Sequence, residues 1–267
     1  MIIQLVEKIL RSPWTWRQVL TARPHDLNAP ISDLFVWRNS AEWQTSFELI
    51  DIPRLFVDSK DDINTVVRFV FFDNSGHQFL SEEIVVLPAM RQTIHLASYL
   101  RGINEEMGTF AVFHKSVPLA ISSMGSYLAE RGYVSYRYQG APLRSYVHGN
   151  LDAIAQNANG QLQALGSSSF FQREYRLQFE LTPGSQYQLC IVNPTASEQK
   201  CVGKLVSING RRLLCSHSFK LAPGGIGELT FQSEVTELAR VIIESHIIMA
   251  RPLVFNIQNF KMDVFHG

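Results

Sequence analysis

From Asp33 onward the chain alternates short apolar runs with polar breaks. The runs are LFVW at 34–37, SFELIDI at 46–52, INTVVRFVFF at 63–72, EIVVL at 83–87 and TFAVFH at 109–114. Between them lie Asp-Asn-Ser-Gly at 73–76, Leu-Pro at 87–88 and Arg-Gly at 101–102. Runs of this length bounded by turn residues predict strands, and many in succession predict a sandwich or a barrel. Ahead of them the period changes. Ile3, Val6, Ile9 and Leu10 fall at helical spacing, and Ser12-Pro13 reads as the start of a second short helix reaching about Leu20. Residues 22–33, rich in Pro, Asp and Asn, read as a linker.

The pattern of the first half recurs in the second. Asn74-Ser75-Gly76 and Asn209-Gly210 each follow an apolar strand and read as hairpin turns. Ile84–Pro88 matches Phe219–Pro223, and Pro88 and Pro223 differ by 135, as Asn74 and Asn209 do. FAVFHKSVPLAI at 110–121 resembles the segment 241–257, and Pro118 and Pro252 differ by 134. Upstream, Phe35–Asn39 resembles Tyr146–Asn150 at an offset of 111. These matches predict a mainly β protein with two tandem immunoglobulin-like β-sandwich domains and a short N-terminal helical segment. The divisions are 1–31 for that segment and linker, 32–131 for the first repeat and 132–267 for the second. The glycine-rich stretch 222–228 reads as a hairpin loop.

Composition narrows the class. Hydrophobic residues at 46% and charged residues at 18% suit a globular core. Lys plus Arg and Asp plus Glu both number 24, so there is no basic excess of the kind nucleic-acid binders carry, and none is expected as a partner. No run approaches the roughly 20 apolar residues that span a bilayer. Glu7, Lys8 and Arg11 interrupt the N-terminal apolar stretch, unlike a secretory signal, so a cytoplasmic location is expected. Cys190, Cys201 and Cys215 contain no CxxC pair and read as buried free thiols.

The chain contains no GxGxxG after a strand, no P-loop, no HExxH and no GxSxG. No two of the eight histidines stand at i, i+2 or i, i+4, so neither a metal nor a cofactor is expected. Glu82-Glu83 and Glu105-Glu106 are adjacent pairs, and neighbours on a strand face opposite ways.

The segment 131–150, RGYVSYRYQGAPLRSYVHGN, reads as two strands around Gln139–Pro142. Period-two alternation puts Leu143, Ser145 and Val147 on one face of the second strand and Arg144, Tyr146, His148 and Asn150 on the other. Tyr136 and Tyr138 share a face of the first strand. Rings beside Arg, His and Asn suit a sugar or an anion, because rings stack on C–H faces while polar groups fix orientation. The competing reading is an amphipathic hairpin that joins the two repeats. At the N-terminus, Trp14 and Trp16 among Lys8, Arg11, Arg17 and Arg23 fit a helix docked on the fold or on another subunit of an oligomer, or one resting on a membrane surface. The expected function is therefore a non-catalytic binding or assembly protein for a carbohydrate or a protein partner. Its contact residues would be Tyr136, Arg144, Tyr146, His148 and Asn150. The alternative is an enzyme acting on a glycan, its residues gathered from separate strands.

Overall fold

The computed structural model describes residues 22–26, 29–52, 65–86, 91–115, 127–139, 141–208 and 212–266. The two helices expected before Leu20, and the partners Pro88, Pro118, Asn209 and Gly210, lie outside the described residues. Among the described residues no helix is long and apolar enough to cross a membrane.

The fold is mainly β. In chain order its strands are β1 (Ile31–Arg38), β2 (Trp43–Ile50), β3 (Val66–Phe72), β4 (Gln78–Val85), β5 (Arg91–His95), β6 (Met107–His114), β7 (Ala129–Glu130), β8 (Tyr133–Tyr138), β9 (Ser145–Val147) and β10 (Asn150–Gln156). They continue with β11 (Leu162–Ala164), β12 (Ser168–Leu181), β13 (Gln186–Val192), β14 (Gln199–Ser207), β15 (Leu213–Leu221), β16 (Ile226–Gln232), β17 (Glu237–Ile247), β18 (Leu253–Gln258) and β19 (Lys261–His266). Their pairings are antiparallel except for β1 with β7.

The strands form four sheets. One runs β11-β10-β1-β6-β3-β4, with β7 beside β1, and a second runs β5-β2-β8-β9. The others run β12-β17-β14-β15 and β16-β13-β18-β19. Strand alternation explains the two larger of the three buried clusters among the described residues. Tyr187, Leu189 and Ile191 of β13 face Leu205, Phe219, Val241 and Ile243 across the third and fourth sheets. Their neighbours Cys190 and Val192 turn the other way, with Leu253 and Phe255 of β18, and join Trp37, Trp43, Phe47 and Phe110 in the larger core. Both faces of the β13–β18 pair are therefore buried.

Three features seat the later sheets on the earlier ones. The Arg38 guanidinium, 5% exposed, donates to Glu228 Oε2 at 2.6 Å and to Gln188 Oε1 at 2.8 Å. It lies against the rings of Trp43 and Phe255, 5.2 and 5.0 Å from their centroids. The turn after β3 meets the loop before β16, where Ile226 N donates to Asn74 O and Thr109 Oγ1 donates to Gly224 O. Gly76 makes that approach possible: its φ is +84°, and a Cβ there would stand 2.2 Å from Pro223 O.

Three expectations need correction. The sheet orders are not the ABED/CFG arrangement of an immunoglobulin domain. Alternation and turns mark strands, whereas neighbours are chosen by long-range packing. The segment 146–150 does not correspond to β1, because it closes a hairpin on β8, two strands from β2. The 222–225 loop is not a hairpin: β15 pairs with β14 and β16 with β13, so this loop crosses from one sheet to another.

Candidate functional site

The outward face of the β5-β2-β8-β9 sheet carries the most concentrated polar chemistry among the described residues. Its cross-strand register aligns Tyr146 with Ser135, Ser135 with Ser46, and Ser46 with His95. The next row aligns Tyr133 with Glu48 and Glu48 with Thr93. Small hydroxyls thus form a floor, with Tyr146 on one side and His95 on the other.

The Arg144 guanidinium lies across that floor. Its Nη1 donates to Ser46 Oγ at 2.9 Å and to Ser135 Oγ at 3.4 Å, and both serines are buried. Ser46 Oγ lies 2.9 Å from His95 Nδ1. Ser46 thus links the Arg144 guanidinium to the His95 ring. Glu48 Oε2 accepts from Arg91 Nε and Thr93 Oγ1, both at 2.8 Å. That contact with Glu48, helped to a lesser degree by Tyr146, holds the Arg91 guanidinium above its ordinary pKa. Tyr146 is 46% exposed and Tyr133 42%. The Tyr133 and His148 rings lie 4.1 Å apart, and His148 Nδ1 is 3.0 Å from the Arg131 carbonyl.

Of the residues singled out in the sequence, Arg144, Tyr146 and His148 lie on this face. Tyr136 does not. It turns inward, fully buried, donates its hydroxyl to Val36 O at 2.7 Å and packs edge-on against Phe255. Burial pushes its pKa well above 10. In β8 the outward residues are Tyr133, Ser135 and Arg137, one step out of phase with Tyr136. Tyr138 sits at the sheet end and donates to Glu42 Oε2.

Asn150 leaves the face as well. The strand stops at Val147 and the chain crosses through Gly149 into β10, where Asn150 pairs with Leu34. There it lines a water-sized cavity of about 10 Å³ with His148, Arg251 and His266. Ser46, Ser135, Arg91, His95 and Tyr133 were missed as site residues. The alternation of RQTIH at 91–95 and of WQTSFELI at 43–50 was a usable signal, for it places Arg91, Thr93 and His95, and Gln44, Ser46 and Glu48, each on one face.

No protein-family model matches the chain, and no curated protein matches it. Among solved structures, a beta-glucuronidase from glycoside hydrolase family 2 aligns over 94% of this chain at 8% identity with a TM-score of 0.19. The chain spans 25% of that protein's length. A likeness this slight carries no argument about fold or function.

Proposed function

We propose that the chain is a non-catalytic binding protein, built from two tandem copies of one eight-stranded sandwich, that presents a carbohydrate-binding face on the β5-β2-β8-β9 sheet. The tandem reading rests on strand order. The set β1-β6-β3-β4 with β5-β2-β8-β9 corresponds strand for strand to β12-β17-β14-β15 with β16-β13-β18-β19. The turn at Asp73–His77 and the connection from Ser207 to Leu213 then occupy equivalent places. Because β8 and β9 pair onto β2, the division lies near residue 165 rather than at 131. Strands β10 and β11 extend the first unit.

The observation that carries the binding reading is the row of half-buried Arg144 and exposed Tyr146 and His148 beside Arg91, His95 and Tyr133 on one sheet face. A sheet holds such groups with little ordering cost on binding. Glu48 is the carboxylate on this face, and it is engaged by Arg91 and Thr93 as a structural counter-ion. That arrangement favours recognition over acid–base chemistry. Duplication does not imply two sites. In the second unit the equivalent face bears Cys190, Val192, Leu253 and Phe255, and these are packed against the first unit.

A glycan array probed with the wild-type chain and with Tyr146→Ala and His148→Ala tests this. Each variant should lose on the order of 1–3 kcal/mol of affinity for the glycans retained by wild type. Variants that fold and bind like wild type would overturn the assignment.

A further inference from the structure

We infer that the ligand group this face recognises is anionic, the carboxylate or sulfate of an acidic glycan seated against Arg144. The inference rests on the binding face proposed above and specifies the chemistry it selects. Three observations support it.

The first is the state of Arg144. Among the described residues, Nη1 is the atom that the protein engages, on the serine floor. Among the described residues Nε and Nη2 have no partner, which leaves the side of the planar fork that pairs two oxygens of a carboxylate or sulfate. The serines fix the guanidinium before any ligand arrives.

The second is the balance of donors and acceptors. Sugar hydroxyls donate as well as accept, so a neutral glycan needs acceptors from its site. This face offers the open donor edge of Arg144. The side chains of Arg91 and Arg137 add charge. Its carboxylate, Glu48, is 6% exposed and already accepts two hydrogen bonds. A donor-rich surface matches groups that only accept.

The third is charge. The chain as a whole is neutral. Among the described residues on this face, Arg91 and Arg144 stand beside one carboxylate, Glu48, a local excess that draws anions over about a Debye length.

Isothermal titration of the full chain tests the inference. The probes are hexagalacturonate and its methyl ester, a sulfated dextran oligomer and its unsulfated form, and sodium sulfate. The acidic oligomers should bind roughly ten-fold or more tightly than their neutral forms, since a charge-assisted hydrogen bond is at stake. Added salt should reduce that advantage. Arg144→Gln should abolish it, and Arg144→Lys, which keeps the charge but loses the fork, should retain part. Arg91→Gln, a second variant outside the serine floor, should lower it less.

Equal binding of ester and acid, weakened alike by Arg144→Gln, would overturn the acidic specificity and leave the binding face intact. Sodium sulfate binding as tightly as the oligomers would overturn the glycan part and leave a bare anion site. No binding by any oligomer, or binding untouched by every variant, would overturn this inference and the binding face together.

Discussion

At the residue scale, buried charge is tolerated where geometry supplies its counterpart. Arg38 is the clearest case. Burial lowers its pKa, but the surrounding charges, with Glu228 hydrogen-bonded at 2.6 Å, outweigh that and hold it raised. Removing one member of such a pair leaves an uncompensated charge. Glu228→Ala should therefore cost about 3–5 kcal/mol in urea unfolding, whereas Arg38→Met together with Glu228→Leu should cost less than Glu228→Ala alone. A double variant as unstable as the single one would show that the charge itself is not what is being compensated.

His266 sets a pH limit. Burial, with help from Arg251, pushes its pKa down to about 4, against the opposite pull of the carbonyls of His148 and Pro252. The unfolded chain takes up the proton near the ordinary value of 6.5, so it binds more protons than the fold between those values. This contribution to stability is present above pH 6.5 and is lost as pH falls toward 4. Urea midpoints should drop over that window, and His266→Gln should flatten the drop. An equal slope in both proteins would remove His266 as the source.

At the element scale, two short segments decide how strands are used. Gly149 ends the run that would have carried Asn150 onto the outward face of the β5-β2-β8-β9 sheet. A Cβ there would stand 2.7 Å from Asp33 Cβ and 2.8 Å from the Phe35 ring. Alternation holds only while a strand continues, and the sequence alone does not show that this one stops. Gly76 lets the turn after β3 press against Pro223 and Gly225. Gly76→Ala meets both a positive φ and backbone atoms that cannot give way. It should destabilise by more than the ~1–2 kcal/mol of the left-handed conformation alone, as read from thermal unfolding. A neutral Gly76→Ala would mean that the turn and loop separate without cost.

At the scale of the whole molecule, the two sets of strands that we propose as tandem copies differ in what one sheet does. The β16-β13-β18-β19 sheet turns an apolar face carrying Phe255, Cys190 and Leu253 into the larger core. The β5-β2-β8-β9 sheet carries a polar outer face around buried Ser46 and Ser135. The glycan and titration experiments above belong to this scale, because the proposed site exists only where the fold leaves that face open.

The residues alone determined the mainly β fold and the hairpin around Gln139. They also determined that Arg144, Tyr146 and His148 point one way while Ser145 and Val147 point the other. All of these follow from local backbone geometry, which turns successive side chains to opposite faces. Only the tertiary structure decided the rest. It buried Tyr136, took Asn150 away at Gly149, and brought Ser46, Arg91 and His95 beside Arg144 from strands about 50–100 positions earlier. It gathered a local positive excess from a chain with no net charge. Strand pairing and sheet packing join residues far apart in sequence, and no periodicity within one segment records which partners they will meet.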